Sequence, residues 1–245
     1  MKRSIKLFAF LFITFPIFTS CIFSDRPVIQ GNHQLVNQRI NIDNYDKVIL
    51  NIPGEIFYQQ FSDSTPYLQI HTDENIFKAL DVKVQGNKLI IDVKKDSIIK
   101  PSKLTVYTCS HNLSQVMLNG AGKLRLKGEV NSNDLDIIIN GAGNLIADSL
   151  LCNSLSLNIT GAGNVTLTGA SNQSSFKITG AGSIKAFDYF VQDLNCGITG
   201  TGNIEVLVSN KLDVNITGSG DITYRGEPQF VNKKITGSGN VRQVK

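Results

Sequence analysis

Seven copies of one short phrase fill the second half of this chain. They read Asn119-Gly-Ala-Gly-Lys, Asn140-Gly-Ala-Gly-Asn, Thr160-Gly-Ala-Gly-Asn, Thr179-Gly-Ala-Gly-Ser, Thr199-Gly-Thr-Gly-Asn, Thr217-Gly-Ser-Gly-Asp and Thr236-Gly-Ser-Gly-Asn. Their first glycines, Gly120, Gly141, Gly161, Gly180, Gly200, Gly218 and Gly237, are 21, 20, 19, 20, 18 and 19 residues apart. A period this regular signals a repeat architecture, in which each unit buries its apolar face on its neighbours.

Alternation within each unit is strict. Counting back from the first Gly, the second, fourth and sixth positions are mostly apolar: Leu135, Ile137 and Ile139, then Leu155, Leu157 and Ile159, then Leu212, Val214 and Ile216. Counting forward, the fourth and sixth positions repeat the pattern, as in Leu124 and Leu126 or Val165 and Leu167. Period-two alternation turns one strand face inward and the other to water. Each unit is therefore expected to hold two short strands joined by a Gly-x-Gly corner, where glycine supplies positive φ and close backbone approach. Gly128, Gly169 and Gly226 mark a second turn.

Hairpins would not explain why equivalent positions match from unit to unit; coiling does. One unit per turn stacks equivalent residues in ladders about 4.8 Å apart, and seven such turns span roughly 34 Å. Crossovers between parallel strands are right-handed. The expected fold is all-β: a right-handed parallel β-solenoid with about 20 residues per coil and a less regular N-terminal β portion. Asn and Thr before the first Gly, and Asn, Ser and Asp after the second, then form outward polar ladders.

The final unit departs from the pattern. Lys233 and Gln243 stand where inward apolar residues are expected. A polar end blocks edge-to-edge growth of a solenoid, so these residues read as a cap; a frayed last strand is the bland alternative.

The first residues read as a targeting segment. Met1-Lys-Arg-Ser-Ile-Lys is basic, residues 7–18 are mostly apolar, and Thr19-Ser20-Cys21 follows. The run is short for a bilayer span and has a signal peptide's flanks. Residues 1–20 are assigned as a lipoprotein signal peptide and 21–33 as a tether. The small residues before Cys21 resemble a bacterial lipobox, which implies cleavage there and acylation of Cys21, the alternative being an ordinary signal peptide with an incidental Cys. Removal of the leader leaves 21 basic and 20 acidic residues, so charge gives no argument for nucleic acid. Cys109 and Cys152 could pair in an oxidising compartment, though nothing requires it; Cys196 occupies an inward ladder position and reads as a core residue.

Residues 34–110 are also strand-like. Pro53-Gly54 and Gln85-Gly86-Asn87 are turns, the second a hairpin signal. The stretch from Thr72 to Lys78 reads as one helical turn with Thr72 or Asp73 as its cap. This portion is expected to stack on the same core as the Gly-x-Gly repeats of 111–245.

The order of a lipoprotein leader, "YDKVILNIPGEIFYQQ", "LQIHTDENIF", "VQGNKLIIDVKK", "LTVYT" and a train of G-[ATS]-G units resembles the family of putative auto-transporter adhesins with a head GIN domain. The resemblance covers roughly Ile40 to Val244. It implies a β-solenoid and a cell-envelope location, and it supplies no catalytic residues; as a lipoprotein the chain is expected at the outer membrane.

Chemistry and scaffold can be weighed from the residues. Polysaccharide lyases and hydrolases also use β-helices, but their sites need clustered carboxylates on one outward face. The acids here are scattered; Asp134 and Asp136 share an outward strand face, which reads as solvated surface. His33, His71 and His111 are far apart. No helix follows any Gly-x-Gly to hold phosphate, and calcium-binding repeats have a nine-residue period. No metal or cofactor is expected. The outward ladder Asn144, Asn164, Ser183, Asn203, Asp221 and Asn240 is the candidate ligand surface, because regular amides can hydrogen-bond sugar hydroxyls; Asn also suits turns and stacks well. The sequence thus reads as a non-catalytic envelope lipoprotein, held on a membrane by its lipid, that binds a glycan or protein or serves structurally. A carbohydrate-active enzyme on the same scaffold is the alternative.

Overall fold

Alternating apolar positions and glycine corners build the whole body. The computed structural model describes residues 26–94 and 97–245. The signal peptide and Cys21 lie outside the described residues.

In chain order the first strands are β1 (Val28–Gln30), β2 (Leu35–Asn41), β3 (Lys47–Leu50), β4 (Glu55–Gln60) and β5 (Tyr67–Asp73). A short helix, α1 (Glu74–Ala79), precedes β6 (Leu80–Gln85), β7 (Lys88–Val93), β8 (Ile98–Lys100), β9 (Leu104–Ser110) and β10 (Gln115–Gly120). The repeats follow as β11 (Lys123–Gly141), β12 (Asn144–Gly161), β13 (Asn164–Gly180), β14 (Ser183–Gly200), β15 (Asn203–Gly218), β16 (Asp221–Arg225), β17 (Phe230–Gly237) and β18 (Asn240–Gln243).

From β10 onward every coil pairs in parallel with the next, and the register carries each corner onto its successor: Gly120, Gly141, Gly161, Gly180, Gly200, Gly218 and Gly237 form one column. The seven corners bound about six complete turns rather than seven. The two-strand expectation also needs correction. Each full coil runs as one ladder from corner to corner, with slips in register near the second turn, as between Leu126 and Glu129 or Ala147 and Leu150. These slips absorb the uneven repeat lengths without disturbing the corners. Burial divides β12 into three arms, with Leu145 and Ala147, then Leu150, then Leu155, Leu157 and Ile159 turned inward.

The corners explain their own composition. The first glycine of each has φ between +104° and +126°, a region that costs other residues about 1–2 kcal/mol. Its carbonyl accepts from the middle residue of the next corner, as in Ala162 N to Gly141 O at 2.9 Å. A Cβ on Gly161 would sit 2.4 Å from Gly141 O. From Gly163 onward the second glycine lies on an isoleucine of the coil before: a Cβ on Gly163 would meet Ile139 Cγ2 at 2.8 Å.

The same core continues into the N-terminal portion; one buried cluster runs from Tyr45 to Tyr224. β3 pairs with β10 and β4 with β11. Asn51-Ile52-Pro53-Gly54 therefore takes the place of a corner, and Lys123 N donates to Gly54 O at 2.8 Å. Beneath it lie β7, paired with β3, and β9, paired with β4. Antiparallel partners then close this end: β6 on β7 through the Gly86-Asn87 turn, with φ of +54° and +62°, and β5 on β9, with β2 on β5. Helix α1 buries Ile76 and Ala79. Asp73 precedes it, as expected, yet its carboxylate does not cap the helix. It accepts instead from His33 N (2.8 Å), Ser102 N (2.8 Å) and Ser102 Oγ (2.6 Å).

The tether expectation is corrected for its last residues. Val28–Gln30 forms β1 and pairs in parallel with β8, because Ile29 alternates toward the core between exposed neighbours.

At the other end β17 is exposed along its length. Lys233 occupies the inward register opposite Val214, and its ammonium lies 5.4 Å from the Tyr224 ring centre. Gln243 Nε2 donates to Gly226 O at 2.8 Å. Both residues thus place polar groups over the open end.

Candidate functional site

The register puts the candidate ladder in one column: Asn144, Asn164, Ser183, Asn203, Asp221 and Asn240 are successive partners on the first arm. Part of the column is spent on itself. Asn164 Nδ2 donates to Asn144 Oδ1 at 3.1 Å, and Asn240 N donates to Asp221 Oδ1 at 3.0 Å. The column before the corner behaves likewise. Asn140 donates to Asn119 (2.9 Å), Asn119 to Asn51 (2.7 Å) and Asn51 to Asp92 (2.8 Å). A third chain joins Asn172 to Asn153 at 2.9 Å. An amide carries both donors and acceptors, so identical amides one coil apart satisfy one another.

Most carboxylates of the repeats are engaged singly, though Asp193 and Asp213 line one recess of about 300 Å³ together with Lys211. Asp136 accepts from Gln115 (3.1 Å) and Asp134 from Asn133 (2.5 Å). Arg125 holds Asp148 at 2.8 Å, Lys211 holds Asp213 at 2.7 Å, and Asn210 donates to Asp193 at 2.6 Å. Among the described residues no group of His, Cys, Asp or Glu is placed to hold a metal ion. Cys109, Cys152 and Cys196 are free thiols. Burial pushes the Cys152 thiol up to about 12 and that of Cys196 higher still, so neither is a thiolate nucleophile at neutral pH.

The largest structured recess on the third arm lies across the corner from the ladder. Three outward columns run there. One holds Thr179, Thr199 and Thr217; the next holds Lys177, Gly197, Asn215 and Lys234; the outermost holds Asn195, Asp213 and Asn232. At Gly197 the middle column has no side chain. The gap opens a cavity of about 450 Å³ bordered by all three columns. None of the six ladder residues lines it. The sequence signal was present: Gly197 is the repeat-train glycine that sits neither at a corner nor at the bend after one. Counting inward positions passes over it, because it falls on an outward one.

A shallower groove of about 670 Å³ crosses the second arm, where Leu151 and Phe190 are exposed beside Asn131, Asn133 and Asn172. Among the described residues no helix is long and apolar enough to cross a membrane.

Comparison with known proteins agrees with this geometry. The family model described as "Putative auto-transporter adhesin, head GIN domain" matches residues 44–228. Among solved structures, a "putative adhesin" from Bacteroides fragilis is 25% identical, with a TM-score of 0.83, covering 88% of this chain and 100% of the other. A "putative lipid binding protein" from Parabacteroides distasonis is 28% identical, with a TM-score of 0.76, covering 89% and 100%. A "putative adhesin" from Parabacteroides merdae is 27% identical, with a TM-score of 0.71 and the same coverage. No curated protein matches the chain.

Proposed function

Because this chain belongs to the putative auto-transporter adhesin, head GIN domain family, we propose that it is a non-catalytic lipoprotein of the cell envelope whose solenoid binds a glycan. The observation that carries this reading is the outer surface itself. Side chains one coil apart stand in fixed columns of Asn, Thr and Ser, on a scaffold whose corners are locked by backbone hydrogen bonds. Such a surface presents the groups not spent along their own column, such as Ser183 and Asn203, in steps of about 4.8 Å on a backbone with little entropy left to lose on binding.

The names of the similar structures support the same direction, since three are described by adhesion or lipid binding and none by a reaction. An enzyme on this scaffold would need carboxylates gathered and free at one place; Asp193 and Asp213 do share a recess of about 300 Å³, but Lys211 holds Asp213 at 2.7 Å and Asn210 donates to Asp193 at 2.6 Å. The membrane partner is the bilayer that receives the acyl chains of Cys21, which bury at about 0.8 kcal/mol per methylene. The location that follows is the outer membrane, with the solenoid facing outward.

Mass spectrometry of the membrane fraction, with protease digestion of intact cells, tests this. An acylated Cys21 together with surface cleavage is the expected result. An acylated protein that resists the protease belongs in the periplasm, and adhesion gives way to a scaffold role. An unmodified Cys21 overturns the lipoprotein assignment.

A further inference from the structure

Gly197 lacks the structural reason that every other repeat glycine has. Its φ is not in the left-handed region, and a Cβ there would meet only Lys177 Cγ, at an ordinary 3.6 Å. Equivalent outward positions carry Met117 and Ile138. A side chain is therefore sterically allowed, and its absence is what opens the cavity.

The groups around the gap are also unlike those of the regular columns. Among the described residues, no side-chain hydrogen bond or ion pair engages Lys177, Lys234, Asn195, Asn215 or Asn232. Elsewhere several amides pair along their column, as Asn140 with Asn119, Asn164 with Asn144 and Asn172 with Asn153; here the middle column alternates Lys, Gly, Asn and Lys, so no like neighbour is available. The one acid in the lining, Asp213, is held by Lys211 at 2.7 Å. The slot thus presents two unpaired ammonium groups, three unpaired amides and the hydroxyls of Thr179, Thr199 and Thr217. Its floor is apolar: Cys196 and Val214 reach 4% exposure, against 1% or less for Ile178, Leu194, Ile198, Leu212 and Ile216.

We propose that this slot binds an anionic oligosaccharide. The amides and hydroxyls, each both donor and acceptor, match sugar hydroxyls. The apolar floor takes the C–H face of a ring. Lys177 and Lys234, three coils or roughly 14 Å apart along the ladder, bracket the slot and select negative charge, a carboxylate or a phosphate. The inference rests on the reading of the solenoid as a glycan-binding protein and adds the place and the charge.

Calorimetry on the purified full chain in detergent tests it, with tetragalacturonate, its methyl ester and pentamannose 6-phosphate as probes. At least one anionic probe binds, and the uncharged ester binds at least tenfold more weakly. Which anionic probe binds identifies the acid group. Gly197→Ile, which fills the slot with a residue the column already accepts, weakens binding at least tenfold and leaves the melting temperature unchanged. Lys177→Gln and Lys234→Gln each weaken it several-fold and flatten its salt dependence. Binding of neither anionic probe, or undiminished binding to a folded Gly197→Ile variant, overturns the proposal. Glycan-array binding that survives Gly197→Ile but is lost in Asn164→Ala sinks the slot and leaves the functional reading standing. A blank array sinks both.

Discussion

The repeat train and the N-terminal portion build one core by different means. In the train, glycine lies over glycine and the backbones touch. In the N-terminal portion, Ile52, with a full side chain, stands where the corner glycine would be, and Gly120 above it has open space: a Cβ there would meet nothing within 4 Å. Inward apolar residues in register are thus enough to stack coils, and the glycine column is needed where it must pack on itself. The buried polar groups divide in the same way. The train buries Ser171 and Ser174, which bond each other, whereas the N-terminal portion buries Thr72, Asp73, Thr105, Thr108 and Ser110. There Tyr45 meets Thr108 at 2.6 Å, Tyr58 meets Ser110 at 2.9 Å, and Asp73 ties together three separate segments. Where repetition does not fix the shape, specific hydrogen bonds do.

The largest effect that can break this comparison is at the corners. Gly161→Ala adds a positive-φ penalty to a Cβ placed 2.4 Å from Gly141 O, and should cost about 3–5 kcal/mol. Gly120→Ala carries the φ penalty alone, about 1–2 kcal/mol. Denaturant unfolding of the two variants measures the difference; equal losses would show that packing of glycine on glycine has no special place in the train.

Asp73 comes next. Asp73→Ala removes the shared acceptor of Ser102 and His33, two exposed residues whose donors water can partly satisfy, and should lower stability by less than a corner substitution does. The hydroxyl of Ser102, helped by the N–H groups of Ser102 and His33, holds the Asp73 carboxyl below its ordinary pKa. Its folded pKa is therefore lower than its unfolded one. The stabilisation is complete above the unfolded value of about 3.9 and is lost as pH falls through the folded value. Stability curves of wild type and Asp73→Ala should run parallel at neutral pH and converge in acid; a gap that persists unchanged in acid contradicts the role of the carboxylate.

The smallest effect on stability belongs to the exposed end. Lys233→Leu removes the charge from an inward position of an edge strand and should change stability by less than about 1 kcal/mol. It should also promote end-to-end association, visible by sedimentation velocity. A variant that stays as monomeric as wild type removes Lys233 from the cap.

Much of this was legible in the sequence because the train repeats its own constraints. The corner column, the inward Leu and Ile, the ladder of Asn144 to Asn240 and the polar end at Lys233 and Gln243 all follow from period and alternation. The bends were less legible, since register slips near Ala147 and Leu126 let one continuous ladder take two turns. Thr72 or Asp73 reads locally as a helix cap, because the true partners of Asp73, Ser102 and His33, lie 29 and 40 residues away. The strand at Val28–Gln30 is three residues long and carries too little pattern to be seen. The slot at Gly197 is hard to read for a different reason: it falls on an interrupted outward column, whereas the regular columns carry the repeat signal and spend part of their hydrogen bonds on themselves. Two unpaired ammonium groups and three unpaired amides come together where the pattern fails.

That contrast between a regular and an interrupted column is most directly tested by backbone-amide NMR during titration with whichever anionic probe binds. The account predicts shifts gathered on residues 177, 195–199, 213–217 and 232–234, around Gly197. Shifts running instead along Asn144, Asn164, Ser183, Asn203, Asp221 and Asn240 would contradict it and return the binding role to the ladder.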